Sequence, residues 1–486
     1  MDKCKSDRPA KIWLIGLSLW FYGYFNTTYL LIMILSITVN YCLTLWITQK
    51  REEKEWIKSR KPVLLLGVVI NLAILFYFKY YDFFLSTMND VFKTDMTLKH
   101  ILLPLGISFF TFQQIGFLVD CYRNENKEVN FIDYALFVSF FPQLIAGPIV
   151  SSEEMLPQFA TIKGRRFDTE KFAKGLTLFV LGLAKKVLIA DTLGRGVDTG
   201  FASIGAINGL DSFLVMIWYT LQLYFDFSGY CDMARGLALM LGFELPVNFD
   251  SPYKSSNIIE FWSRWHKTLT RFFTKYVYIP LGGNRKGFVR MLINILIIYF
   301  LSGLWHGAGY NFILWGMLHG VLYVIARIVQ RLFGAQNDKT TDVITKNNTF
   351  INAIFKGIGI AFTFLYVSFA WVFFRAESIS QGCDLILNMF TKEWNFVTYS
   401  ISQSMKMDEL WYVIKFLHLD RYSIAQNLVM IIITVFALIV TFVAPNAAEV
   451  SSNIKGKKLF GFMLGMLGVW CILTLSNVST FLYFNF

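Results

Sequence analysis

Between Leu301 and Gly320 the chain reads LSGLWHGAGYNFILWGMLHG, a stretch apolar enough for a bilayer that nevertheless carries His306 and His319, two of only five histidines. An ionisable side chain in hydrocarbon is costly, and such positions are by default functional ones. Imidazole is the side chain whose ordinary pKa suits proton removal from a hydroxyl near neutral pH. Gly307 and Gly309 loosen any helix that follows His306 and leave room for a substrate beside it. On one continuous helix, the interval to His319 is about 20 Å of rise and roughly 220° of rotation. The two imidazoles therefore share neither a metal nor a reacting atom unless the chain breaks between them. His306 is the candidate catalytic group, with a satisfied buried histidine as the alternative, and His319 reads as packed or hydrogen-bonded.

A second constellation is EFWSRWHKTLTRFFTKYVYIPLGGNRKG, residues 260–287. Arg264, Lys267, Arg271 and Lys275 recur at spacings of three and four, which predicts one basic stripe on a helix. Trp262, Trp265, Phe272 and Phe273 cover its other faces, as suits a helix at the membrane interface. His266 lies inside this segment, either as an incidental member of an interfacial anchor or as a second functional imidazole. Gly282–Gly287, with Arg285 and Lys286, could cradle a phosphate or simply form a basic loop. Asp226 and Asp232, in YFDFSGYCDMARG, could orient a histidine, hold a hydroxyl substrate, or pair with Arg235 or a lysine. Lys185 and Lys186 end an apolar run and are expected to snorkel toward the interface. The sequence has no G-x-S-x-G elbow, Walker loop or H-E-x-x-H helix to offer a competing mechanism.

The elements that must position these groups are membrane helices. Of the 486 residues, 55% are hydrophobic and 16% charged, whereas a soluble domain is nearer a quarter charged. Continuous apolar runs recur at the length needed to cross about 30 Å of hydrocarbon, and their continuity disfavours a β-barrel. They predict about eleven to thirteen membrane-embedded helices in a single domain spanning 1–486. The run at 131–146 is short and ends in FPQLIAGPIV. Such a broken or re-entrant element is tolerated only where it is buried in protein or lines a cavity, so the bundle is expected to enclose a polar space. Residues 226–290 do not resolve into alternating spans. No internal repeat is visible, which weakens an inverted-repeat transporter. The net charge of +12 falls between apolar runs, as expected of loops facing anionic lipid, and does not indicate nucleic-acid binding. The six cysteines are dispersed, without a C-x-x-C pair, and predict neither a disulfide framework nor a metal site. The N-terminal MDKCKSDRPAKIWLIGLSLWFYGYF reads as a first membrane segment rather than a removed signal.

PLGISFFTFQQIGFLVDCYR (104–123), FFPQLIAGPIV (140–150), YFDFSGYCDMARGLALMLGFELPVNF (224–249), FWSRWHKTLTRFFTKYVYIPLGGNRKG (261–287), GLWHGAGYNFILWGMLHG (303–320) and FFRAESI (373–379) occur in this order. Together they resemble the membrane-bound O-acyltransferase family, and within it the bacterial alginate O-acetyltransferase branch. The resemblance runs from about residue 12 to 380. It implies an all-α polytopic bundle around a transmembrane tunnel. The implied reaction moves an acetyl group from a cytoplasmic thioester, acetyl-CoA or another acyl thioester, to a hydroxyl of an exported or cell-wall polysaccharide. An extracytoplasmic acetyltransferase of the SGNH type is the implied partner, and the bacterial inner (plasma) membrane the implied location. The family's catalytic histidine falls on His306 and its second histidine on His266. Arg264, Lys267, Arg271, Arg285 and Lys286 are the expected donor-binding residues, and Trp305, Asp226 and Asp232 the expected tunnel residues. No resident cofactor or metal is implied. The branch usually reads close to R-R-W-H-I-S-L-S, and the departure here, Ser263 through Thr270 as S-R-W-H-K-T-L-T, bears on donor recognition. Alternatives are a D-alanyl transferase acting on teichoic acid and a transporter without chemistry.

The basic segments 49–61, 163–174 and 455–458 are expected to face the cytoplasm, and the polar stretch 375–423 the outside. Thr161→Cys, in a background with the native cysteines replaced by serine, should resist membrane-impermeant thiol reagents in intact cells and react after permeabilisation. Ready labelling of intact cells would reverse the orientation.

Overall fold

The computed structural model describes residues 7–49, 54–125, 130–162, 166–345, 349–405, 407–422, 424–454, 458–477 and 481–482. Parts of the expected cytoplasmic segments, 50–53, 163–165 and 455–457, lie outside the described residues. Among the described residues the ordered elements are helices, and no strand occurs. This is an all-α multi-pass membrane protein. Helices long and apolar enough to cross a bilayer lie at Thr27–Thr48, Arg60–Phe92, Phe288–His306, Tyr310–Phe333 and Ile351–Arg375. Shorter apolar helices occupy Asn427–Phe442 and Lys458–Leu473. The run at 131–146 is broken, as its prolines and glycine require: a helix at Phe131–Ser139 ends and a single turn follows at Phe141–Leu144.

Chain packing divides the protein into two compact units, neither a contiguous stretch of sequence. One comprises Met1–Phe179, Met233–Pro246 and Thr274–Tyr276, the other Val180–Asp232, Val247–Phe273 and Val277–Phe486. In the first, buried Asp120 accepts hydrogen bonds from the Tyr276 hydroxyl at 2.9 and 2.8 Å and an ion pair from Lys275 at 3.0 Å. Lys275 also reaches Glu125 at 2.7 Å and Glu153 at 3.1 Å. Burial works against its charge, but the hydrogen bonds to Glu125 and Asp120 prevail and raise its pKa. Lys275 is thus a structural clamp.

The second unit holds all three histidines singled out above. Its centre is a helical hairpin, Phe288–His306 followed by the helix beginning at Tyr310. Gly307 terminates the first helix in an extended conformation, and a side chain there would collide with the Phe312 ring. Along the seam, a Cβ on Gly303 would strike the Phe312 carbonyl, one on Gly316 the Tyr299 carbonyl, and one on Gly320 would lie 2.9 Å from Tyr299 Cβ. Small residues let two backbones touch where hydrocarbon offers no hydrophobic drive to association. Asn311 then donates to the Phe373 and Ala376 carbonyls at 3.2 and 2.8 Å. These bonds satisfy acceptors at the end of the Ile351–Arg375 span, where the helix itself has no donor left.

Several expectations are corrected. Residues 226–290, which do not resolve into alternating spans in the sequence, begin inside one long helix, Gly209–Met240. The expected basic stripe does not exist as one helix. Ile258–Arg264 ends at Trp265, His266 takes a left-handed φ of 43°, and a new helix runs Lys267–Phe273. Lys185 and Lys186 do not snorkel. They open a π-helical turn, Lys185–Ala190, and Lys186, only 2% exposed, pairs with Asp191 and Asp226, each at 2.7 Å. A buried ammonium is tolerable only when paired, and here two carboxylates meet that need.

Gly316→Ala presses a methyl group against the Tyr299 carbonyl. It should lower the stability of the detergent-solubilised protein by about 1–3 kcal/mol, the usual cost of overpacking, read as a drop in the thermal unfolding midpoint.

Candidate functional site

His306 is the last residue of the Phe288–His306 helix. Its position is set by the glycine seam on one side and by the Ile351–Arg375 span, carrying Phe374, on the other. The ring lies in an aromatic box with centroids at 4.9 Å to Trp305, 5.0 Å to Trp315 and 5.2 Å to Phe374. His306 is 3% exposed and His266 wholly buried, and their ring centroids are 6.4 Å apart. Trp305 packs on both, 6.2 Å from His266. His266, Trp305 and His306 therefore form one cluster. The two rings are too far apart for a direct N–H···N bond, which needs about 3 Å between nitrogens.

His266 is held where the backbone turns between two short helices. Asn257 caps the first through Glu260 N at 2.9 Å. The second is capped from a distant part of the chain. The Asn248 backbone carbonyl accepts from Lys267 N at 3.0 Å, and Asn248 Oδ1 accepts from Thr268 N at 3.2 Å and Thr268 Oγ1 at 2.9 Å. The same Oδ1 lies 3.1 Å from His266 Nδ1, and the amide nitrogen donates to Cys231 Sγ at 3.3 Å. Phe227 stands edge-on to the imidazole at 4.9 Å. Asn248 is a site residue that the motif reading passed over. The signal available was one uncharged amide among apolar residues in ELPVNF.

The other expected site residues are distributed differently. Asp226 and Asp232 are in ion pairs, with Lys186 at 2.7 Å and Lys185 at 2.6 Å. Of the readings left open for them, pairing with a lysine is the one realised. Arg264 pairs with Glu260 at 2.9 Å, Lys267 is half-buried and Arg271 exposed. Arg285 and Lys286 are exposed on a tight turn whose Gly282, Gly283 and Gly287 all have positive φ, and Asn294 fastens this turn through the Gly283 carbonyl at 3.0 Å. Among the described residues no three His, Cys, Asp or Glu side chains gather as a metal site.

The chain does break between His306 and His319, the condition under which the helical spacing argument lapses. Both rings pack on Trp315, His319 at 5.1 Å. His319 is fully buried, with Phe261, Trp262 and Trp371 completing its surroundings. Neither of its nitrogens has a hydrogen-bond partner among the described residues, so it is packed rather than hydrogen-bonded. Buried unpaired polar atoms cost about 1–3 kcal/mol. His319→Leu, of similar volume, should therefore leave the thermal midpoint unchanged or raise it; a fall would show that these nitrogens hold ordered water.

Comparison with known proteins places this geometry in context. The family model described as MBOAT, membrane-bound O-acyltransferase family, matches residues 19–372. A peptidoglycan O-acetyltransferase of Helicobacter pylori is 36% identical over 99% of this chain and 92% of its own length. A probable alginate O-acetylase of Pseudomonas putida is 37% identical over 88% of this chain and 85% of its own. A teichoic acid D-alanyltransferase of Streptococcus thermophilus is 28% identical over 46% of this chain and 56% of its own.

Proposed function

The chain belongs to the membrane-bound O-acyltransferase family, and on that premise we propose that it transfers acetyl groups, drawn from a cytoplasmic thioester, for O-acetylation of an exported or cell-wall polysaccharide. The observation that carries the reading is the buried His266–Trp305–His306 cluster at the break of a membrane hairpin. The near full-length similarity to proteins named for peptidoglycan and alginate O-acetylation supports acetyl over D-alanyl transfer, since the teichoic acid relative matches less than half of the chain.

In this mechanism His306 is the general base. A hydroxyl oxygen attacks the thioester carbonyl carbon while the imidazole takes the hydroxyl proton. The tetrahedral intermediate collapses, the C–S bond breaks, and the departing thiolate recovers the proton from the imidazolium. An imidazole positioned as a base contributes about 10²–10⁴-fold. Trp305 walls the reacting region. Asp226 and Asp232 act indirectly, by holding Lys186 and Lys185. Arg264, Lys267, Arg271, Arg285 and Lys286 supply positive charge for the phosphates of acetyl-CoA or a carrier-borne thioester. The setting is the bacterial cytoplasmic membrane. An extracytoplasmic SGNH-type acetyltransferase is the proposed recipient partner, and the exposed Trp394, Tyr412 and Phe416 supply aromatic surface of the kind enriched at protein interfaces.

The test is acetyl transfer from a thioester by the purified protein in proteoliposomes. His306→Ala should lose at least ~10²-fold in turnover with an unchanged size-exclusion profile, and His266→Ala should fall between it and the unmodified protein. Wild-type turnover in His306→Ala overturns the catalytic assignment and favours a transporter.

A further inference from the structure

We infer that Asn248 is a positioning residue that locks His266 in one tautomer, with the proton on Nδ1 and the lone pair on Nε2. The inference rests on the acyl-transfer reading above. A side-chain amide can be turned either way, and its oxygen and nitrogen are alike in shape. Here the backbone decides. Thr268 N–H can only donate, and it lies 3.2 Å from the Asn248 atom in question, so that atom is the carbonyl oxygen. The opposite end, the NH₂, then faces Cys231 Sγ at 3.3 Å, a weak acceptor. His266 Nδ1 is 3.1 Å from the same oxygen. An oxygen without a proton accepts only, so Nδ1 carries the hydrogen and Nε2 does not. The tautomer follows from a helix cap: the oxygen that satisfies Thr268 N–H also orients the imidazole.

The consequence is a division of labour. Neutral His266 can accept a hydrogen bond at Nε2 and cannot donate one there. It therefore does not hydrogen-bond the oxyanion that develops on the thioester carbonyl. It accepts from a proton-bearing group, the acceptor hydroxyl or a group bridging toward His306 across the 6.4 Å between the ring centroids. The left-handed backbone of His266, φ 43°, is sparsely populated for a non-glycine residue and persists only where surroundings over-determine it. Asn248 supplies that constraint through three bonds to Lys267 and Thr268. Titratable groups beside the imidazole include His306 and, behind Asn248, Cys231, and its ring contacts include the uncharged Phe227, Phe249 and Trp305.

The test compares Asn248→Leu, Asn248→Asp and Thr268→Val in the proteoliposome acetyl-transfer assay, with His306→Ala alongside. Asn248→Leu removes the acceptor at similar volume and should lower kcat by about 10²-fold, as expected when a histidine loses the partner that fixes its tautomer, with the thioester KM changed less than threefold. Asn248→Asp keeps the acceptor and should recover most of that loss at high pH. Its carboxylate stabilises the imidazolium, so the acid limb of its kcat–pH profile should move to higher pH. Thr268→Val removes a hydroxyl from the same oxygen without touching His266 and should stay within about threefold of the unmodified protein. A merely structural Asn248 would move the thermal midpoint of both Asn248 variants and leave the pH profile in place. An inactive His306→Ala beside an Asn248→Leu of unchanged kcat overturns the tautomer assignment alone. An active His306→Ala overturns the acyl-transfer reading itself.

Discussion

One amide oxygen, Asn248 Oδ1, does two jobs on which the centre of the protein depends. A helix that starts after a sharp reversal leaves its first N–H groups without partners, and inside a membrane protein water is not at hand to supply them. Asn248 meets two of those N–H groups, one through its backbone and one through its side chain. Only then can the chain turn at His266, and only because it turns does the imidazole lie inward beside Trp305 and His306. An uninterrupted helix from Ile258 would spread its residues around a cylinder and dedicate no one position to the interior.

Buried charge is handled by the same rule of full satisfaction. Lys186 sits between Asp191 and Asp226, and Asp226 also accepts from the backbone of Leu482 at 3.1 Å. Asp120 gathers Tyr276, Lys275 and, at 3.3 Å, Ser152. These groups contribute little net stability over an apolar core, but each is strongly destabilising if its partner is lost. They fix which element lies beside which, in a setting where hydrophobic packing alone discriminates poorly between helix faces.

Much of this was legible in the sequence. The apolar runs, the broken element at 131–146 and the glycine-flanked His306 follow from composition and local chemistry, and six ordered motifs pointed to the family. What could not be read was long-range. Spacing put Arg264, Lys267, Arg271 and Lys275 on one stripe because nothing within the segment announces a break; the break is imposed by Asn248, eighteen residues before His266. Lys186 looked like a snorkelling end because its carboxylates lie elsewhere in the chain. Asn248 stood out only as an uncharged amide among apolar residues, and its role could not be read because an asparagine's hydrogen-bond partners are chosen by the fold.

The glycine seam of the Phe288–His306 hairpin has a bearing on how the protein answers its lipid surroundings. Bilayers differ in thickness, and helices adjust to the mismatch by tilting. Two helices separated by long side chains can slide as those side chains change rotamer. Here Gly303, Gly316 and Gly320 bring backbone against backbone, and there is no side chain at those points to yield. The hairpin tilts as one body, and the depth of His306 relative to Trp315 and Tyr299 is carried along with it. A hairpin joined in this way meets a change of bilayer thickness by tilting as a unit rather than by sliding one helix past the other.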